Sequence, residues 1–91
     1  MKHHIIFSGT VQGVGFRYTS QMLARKRGLK GWVRNLRDGR VEMFVEADEE
    51  TLKNFLADLE RYFLGYIKDV QYLQDADNIP SQKGFHILPT V

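Results

Sequence analysis

The feature that most constrains the fold is a pair of strand-like segments on either side of Asp38-Gly39. Residues 30–36 and 40–47 alternate in polarity, which is the period of half-buried β-strands. An Asp-Gly dipeptide between two such segments is a strong signal for a β-hairpin. The sequence therefore predicts two antiparallel strands joined by a tight turn.

The side chains of these strands decide the length of the turn. A two-residue turn would place Arg34 on the same face as Met43, which is an awkward position in a core. A three-residue turn over residues 37–39, closed by a left-handed glycine with a bulge, pairs Val33 with Met43 instead. We therefore expect the three-residue turn, which puts Asn35 on the helix-covered face, near its edge.

The rest of the chain predicts two helices and three further strands. Residues 16–27 run up to Gly28, a typical residue after a helix, and residues 48–63 begin with Asp48, a good N-cap. Apolar runs indicate the remaining strands at 3–10, 67–73 and 85–88, with a polar loop at 75–84 before the last strand.

The resulting order is β-α-β-β-α-β with a short extra C-terminal strand. It predicts an α/β fold of the α+β type, the ferredoxin-like sandwich, with two helices on one face of an antiparallel sheet.

Length and composition limit the possible classes of protein. A chain of 91 residues is expected to form one domain over residues 1–91. It has no cysteine, which excludes disulfides and thiolate chemistry and fits a reducing compartment. No apolar run in the sequence is long enough to cross a membrane, and we expect no secretory signal. We therefore predict a cytoplasmic protein without membrane contact. The net charge of +2 gives weak support for a nucleic-acid partner and suits a small anionic substrate equally well.

The strongest functional signal is the segment of residues 9–17, Gly-Thr-Val-Gln-Gly-Val-Gly-Phe-Arg. Its glycines let the backbone approach a ligand closely, and a loop that leads into a helix gathers N–H groups suited to an anion. Arg17 stands in the first turn of that helix, where a cation opposes the helix dipole. An anion between the loop and the guanidinium would remove the conflict, so the segment predicts a small site for phosphate.

The three histidines do not predict a metal site. His3 and His4 project to opposite faces of one strand, so they cannot simply chelate an ion together. With His86, they are expected to be structural or surface residues. We expect no metal and no cofactor.

Two blocks of the sequence resemble the signatures of the acylphosphatase family. Residues 9–17 carry Val-Gln-Gly-Val-x-Phe-Arg, and residues 31–41 carry Gly-Trp-Val-x-Asn-x-x-x-Gly-x-Val. The resemblance covers residue 5 to about residue 47, and the predicted topology continues it to residue 88. It implies the ferredoxin-like fold and metal-free hydrolysis of an acyl phosphate, the mixed anhydride of a carboxylate and phosphate.

The resemblance also implies roles for individual residues. Arg17 looks like the catalytic arginine that binds the phosphate, because its planar fork can hold two oxygens. Asn35 looks like the catalytic asparagine that positions the attacking water. The implied partner is a small-molecule acyl phosphate, and a monomer is expected. Backbone N–H groups that would hold the same phosphate come from Gln12, Gly13, Val14, Gly15 and Phe16.

The chain departs from the family pattern in two places. Ala47 stands where a glycine commonly closes the second block, and residues 64–67 replace a proline-rich turn found in many relatives. Both places are expected to lie away from Arg17 and Asn35, and to affect local geometry and stability rather than chemistry.

Two other functions fit the predicted topology. RNA-recognition modules share it and expose aromatic residues on both central strands. Trp32 and Phe44 are expected to pair on the open face of the sheet, but the acids Glu42 and Glu46 flank Phe44 and make a poor stacking platform. Acylphosphatase-like modules also occur in proteins of carbamoyl-transfer maturation, but we expect no partner domain within these 91 residues, so this function is the weaker expectation.

Overall fold

A computed structural model describes residues 1–91 as a five-stranded sheet packed under two helices. The predicted ferredoxin-like sandwich with an extra strand is confirmed. The elements in chain order are β1 (Lys2–Gly9), α1 (Phe16–Lys26), β2 (Lys30–Asn35), β3 (Val41–Glu46), α2 (Glu49–Tyr62), β4 (Ile67–Leu73), a 3₁₀ turn (Ala76–Asn78) and β5 (Phe85–Ile87).

The sheet has the strand order β4-β1-β3-β2-β5. Its pairings are antiparallel except at one edge, where β5 lies parallel to β2. The strands β4 and β5 occupy opposite edges, and β5 runs in the direction opposite to β4 and therefore with β2. The extra strand thus makes the sheet mixed, where the sequence pattern predicted antiparallel pairing throughout.

The β2–β3 hairpin has the predicted register. Val33 pairs with Met43, and Asn35 pairs with Val41. The Leu36 N–H donates to the Arg40 carbonyl at 2.8 Å and closes a turn of residues 37–39. The last residue of that turn is a glycine with φ 97°, a conformation that a residue with a Cβ rarely adopts. The three-residue turn is therefore confirmed.

The core lies between the helices and the covered face of the sheet. The ring of Phe16, at the start of α1, packs 5.0 Å from the rings of both Phe7 and Phe63. Asp48 caps α2 as predicted, since its carboxylate accepts a hydrogen bond from the Thr51 N–H at 2.7 Å. The helices bury Phe16, Ser20, Leu23 and Ala24 from α1 and Leu52, Phe55 and Leu59 from α2.

The opposite face of the sheet is crossed by residues 74–84, which connect one edge strand to the other. The Lys2 ammonium donates to the Ile79 carbonyl at 2.6 Å, and the Glu46 carboxylate accepts hydrogen bonds from Ser81 and Gln82, each at 2.9 Å. These contacts hold the segment against the strands. The sequence predicted that this face of the sheet would be open, and that prediction is wrong because residues 74–84 cover it.

Trp32 and Phe44 form the predicted aromatic pair on this crossed face. Their ring centroids lie 6.1 Å apart, and their exposures are 8% and 0%. The Arg34 guanidinium carbon lies 4.8 Å from the Trp32 ring centroid and covers that ring. The pair is thus a small second core.

A charged network joins the crossing segment to the sheet. Buried His4 lies 2.6 Å from Asp75 through Nδ1 and 2.6 Å from Glu42 through Nε2. Glu42 also accepts a hydrogen bond from the Arg34 Nε at 2.6 Å. Because a carboxylate faces each ring nitrogen, both nitrogens must donate, which is possible only in the imidazolium form.

The pKa shifts of the network agree with this assignment. Burial lowers the pKa of His4, but the hydrogen bonds to Asp75 and Glu42 outweigh burial and raise the pKa above the ordinary 6.5. The hydrogen bond with His4 lowers the pKa of Asp75 below its ordinary 3.8.

The network makes stability depend on pH. Because the pKa of His4 is raised in the folded protein, His4 contributes its full stabilisation below pH 6.5. This contribution is lost as the pH rises through the raised pKa. The stabilisation that ionised Asp75 contributes is lost as the pH falls through its lowered pKa, which lies below 3.8.

We expect His4→Gln to lower the free energy of unfolding most in the mildly acidic range. As the solution becomes alkaline, this variant should lose little further stability.

Urea denaturation between about pH 5 and pH 9 measures this effect. His86→Gln is the control, because the exposed His86 side chain makes its one hydrogen bond with the nearby Lys83 carbonyl. Equal pH slopes for the His4 variant and the wild type would contradict the prediction.

Candidate active site

Arg17 and Asn35 meet at one cleft of about 320 Å³, between the loop after β1, the start of α1 and the end of β2. The structure therefore brings the two predicted catalytic residues together. The residues that line the cleft are Val11, Gln12, Gly13, Gly15, Phe16, Arg17, Tyr18, Asn35 and Ile87.

The loop leaves an uninterrupted run of backbone N–H groups free. The Thr10 N–H donates to the Tyr66 carbonyl at 2.8 Å, and the Thr19 N–H donates to the Gly15 carbonyl at 3.0 Å. Between them, no backbone N–H of residues 11–18 donates a hydrogen bond within the protein. The run combines the loop amides with the unpaired amides of a helix N-terminus, which is a setting suited to an anion.

Gly15 produces this arrangement at the start of α1. It is the N-cap residue, with φ 81° and ψ 19°, and no side chain caps the helix there. A left-handed N-cap suits glycine, and it directs the loop into the helix without a side chain to occupy the free amides. Phe16, the next residue, holds the junction by packing in the core.

Arg17 stands in the first turn of α1 without a carboxylate partner. The first turn contains no acidic residue, and none of the six ion pairs of the protein includes Arg17. The guanidinium of half-buried Arg17 therefore adds positive charge to the positive end of the helix dipole. The surroundings favour a bound anion.

Asn35 presents the opposite kind of unsatisfied group. Its Oδ1 is buried and accepts no hydrogen bond from the protein. The backbone of the residue is well held, because it pairs with Val41 and its carbonyl accepts from the Val91 N–H at 3.1 Å. A buried acceptor of this kind is costly unless a donor such as water or a ligand reaches it.

The structure also shows where the other residues predicted for the site lie. Gln12, Gly13, Gly15 and Phe16 line the cleft, whereas the half-buried Val14 side chain packs against the core. The sequence did not predict Tyr18 or Ile87 as parts of the site. Ile87 reaches the cleft through the parallel pairing of β5 with β2, where it lies opposite Val33, and no local pattern indicates that pairing.

A larger groove lies elsewhere on the molecule. It measures about 560 Å³ and runs between α2 and the β4 edge, with Glu49 and Glu60 among its walls. Lys53 and His3 also line this groove, so its charges are mixed, and the free amides and Arg17 are absent from it. The smaller cleft therefore has the more suitable chemistry.

The histidines serve other contacts. The His3 ring lies 2.9 Å from the Ala47 carbonyl, and the His86 ring lies 2.5 Å from the Lys83 carbonyl. The structure contains no group of three or more His, Cys, Asp or Glu side chains that could hold a metal ion. It also contains no helix long and apolar enough to cross a membrane.

Both departures from the family pattern lie outside the cleft. Ala47 packs against the core, and its N–H donates to the Met1 carbonyl at 2.9 Å. The turn at 64–67 contains a left-handed glycine and is closed by a hydrogen bond from the Tyr66 N–H to the Phe63 carbonyl at 2.9 Å. Neither Ala47 nor the turn lines the cleft.

Comparisons with known proteins cover almost the whole chain. The model of the family described as Acylphosphatase matches residues 3–87. An acylphosphatase of Geobacillus thermodenitrificans is 40% identical over 85 residues, which are 93% of this chain and 90% of that protein. An acylphosphatase of Bacillus velezensis is 53% identical over 55 residues; this match spans 60% of the chain and 61% of the relative.

Solved structures agree with the sequence relatives. The crystal structure of acylphosphatase from Bacillus subtilis has a TM-score of 0.79 to this chain at 38% identity, and the match covers 96% of this chain and 97% of the other. The family model and the full-length matches confirm the resemblance of the two blocks: the chain belongs to the acylphosphatase family.

Proposed function

We propose that the protein hydrolyses acyl phosphates, with the phosphate held by residues 12–17 and the attacking water held by Asn35. Membership of the acylphosphatase family gives the reaction class. One observation supports the assignment of residues. A single cleft combines free backbone amides, a guanidinium without a carboxylate and a buried amide oxygen without a donor.

The loop and Arg17 form the phosphate end of the proposed site. The amides of Gln12 to Phe16 donate to phosphate oxygens, including that of Val14, whose side chain packs away in the core. Arg17 binds two oxygens at once through its planar fork. These donors also stabilise the charge that the phosphoryl group carries in the transition state.

Asn35 forms the water end. Its amide can both accept a hydrogen bond from the water, through Oδ1, and donate one through Nδ2. The water oxygen attacks phosphorus as the bond to the acyl oxygen breaks, the carboxylate leaves with that electron pair, and the proton of the water passes to phosphate or solvent. A carboxylate is a good leaving group, so alignment and charge stabilisation supply most of what the site must provide.

The proposal also covers the cofactors, the location and the partners of the protein. The substrate is a small molecule, and the chemistry uses no metal or cofactor. We place the protein in the cytoplasm as a monomer without a nucleic-acid partner. The buried Trp32 and Phe44 support the last point, because bases cannot stack on rings with exposures of 8% and 0%.

We expect Arg17→Ala to lower kcat/KM for acetyl phosphate and benzoyl phosphate by on the order of 10²–10³-fold or more, because a charged donor to the transition state is lost. Arg17→Lys should recover little of this rate, since a lysine lacks the fork. Steady-state phosphate release, with and without a chelator, gives the result. Wild-type kcat/KM in the alanine variant would show that the phosphate site is assigned wrongly.

Asn35→Ala should mainly lower kcat and have a smaller effect on the affinity for inorganic phosphate. The reason is that water alignment matters chiefly as the transition state forms. Comparing kcat with the inhibition constant of phosphate separates the two effects. If phosphate affinity falls as far as it does in Arg17→Ala, Asn35 binds phosphate rather than water.

Inorganic phosphate should stabilise the folded protein in the presence of a chelator. Binding to the native state alone adds about 2.7 kcal/mol when free phosphate reaches about a hundred times its Kd. The experiment measures Tm against phosphate concentration at constant ionic strength, for the wild type and for Arg17→Ala. Because phosphate also strengthens burial non-specifically, parallel curves for the two proteins would rule out this anion site.

A further inference from the structure

The side chain of Gln12 makes contacts that phosphate binding by its backbone does not use. Its Nε2 donates to the Leu36 carbonyl at 2.7 Å and to the Arg40 carbonyl at 2.8 Å. Both hydrogens of the amide nitrogen are therefore engaged within the protein.

The two acceptors are backbone carbonyls on either side of the turn that joins β2 to β3. Leu36 directly follows Asn35, and Arg40 directly precedes Val41, the cross-strand partner of Asn35. The Arg40 carbonyl also accepts the Leu36 N–H at 2.8 Å, in the hydrogen bond that closes the turn. Gln12 thus binds the part of the hairpin that carries Asn35.

These two bonds are the only hydrogen bonds between residues 10–15 and the hairpin. The other anchor of the loop, from the Thr10 N–H to the Tyr66 carbonyl, leads to the turn before β4. The distance between the loop amides and the Asn35 side chain therefore depends on Gln12 more than on any other polar contact.

We propose that Gln12 is a positioning residue that sets the distance between the bound phosphate and the water held by Asn35. The inference rests on the proposed function, because it requires phosphate at the loop and water at Asn35. In-line attack needs the water and the phosphorus in near-attack geometry, and a misplacement of about 1 Å can cost on the order of 10²-fold in rate. Loss of the two Gln12 side-chain hydrogen bonds should therefore lower kcat, while the amides and Arg17 continue to bind phosphate.

A double-mutant cycle tests whether Gln12 acts through Asn35. The proteins are the wild type, Gln12→Ala, Asn35→Ala and the double variant, and the measured quantities are kcat for acetyl phosphate and Kd for inorganic phosphate. Gln12→Met serves as a second variant, because it keeps much of the shape and lacks both donors. The Tm of each protein, with and without phosphate, shows that it is folded at the assay temperature.

Gln21→Ala is the matched control. The Gln21 Nε2 also donates to a distant backbone carbonyl, that of Phe85 at 3.2 Å, and it ties α1 to β5 away from the cleft. Loss of a generic side-chain tie should lower Tm in this variant and leave kcat unchanged.

We expect Gln12→Ala and Gln12→Met to lower kcat by about 10–100-fold, with only a small change in the Kd for phosphate. In the Asn35→Ala background, removing Gln12 should cost almost nothing further, because the group that it positions is already gone. Three results would overturn the inference: unchanged kcat, a loss of phosphate affinity equal to the loss of kcat, or the same fold-loss in both backgrounds.

The cycle also separates this inference from the proposed function. If Asn35→Ala lowers kcat and Gln12→Ala lowers it further by its full factor in that background, the positioning role of Gln12 is wrong and the role of Asn35 stands. If Asn35→Ala keeps the wild-type kcat, the role proposed for Asn35 is wrong, and so is the positioning role of Gln12.

Discussion

The antiparallel register of β2 and β3 is the constraint on which both faces of the sheet depend. It pairs Val33 with Met43 and Asn35 with Val41 under the helices, and Arg34 with Glu42 on the other side. Side chains alternate along a strand, so a slip of one residue would exchange the two faces. Arg34 would then enter the core, and Asn35 would leave the cleft. The left-handed glycine of the turn at 37–39 stabilises this register.

The strand order then places the two parts of the candidate site together. Both β1 and β2 are antiparallel to β3, which lies between them, so they run in the same direction. The loop after β1 and the residue at the end of β2 therefore lie at the same end of the sheet, where both strands finish. The Gln12 side chain crosses the remaining gap, and α1 adds its free N-terminal amides and Arg17.

The two faces of the sheet have different chemistry because different segments cover them. The helices bury an apolar layer on one face and leave the cleft at its edge. Residues 74–84 cross the other face and are held there through Lys2, His4 and Glu46. That crossing buries His4 beside Glu42, and it covers the surface on which a nucleic-acid base would otherwise stack.

Sequence periodicity and two motifs were sufficient for much of this protein. They predicted the hairpin register, the Asp48 cap and the family, and they singled out Arg17 and Asn35, which the fold brings to one cleft. These features are local, because side-chain spacing along one element and the conformation of one glycine determine them.

Only the tertiary structure decided the contacts between distant segments. The burial of His4 between Glu42 and Asp75, the bonds from the Gln12 side chain to the hairpin and the place of Ile87 beside the cleft join residues far apart in the chain. Each requires the path of the 74–84 segment or the order of the strands. No spacing within a single element encodes that path, because it follows from how all the elements pack together.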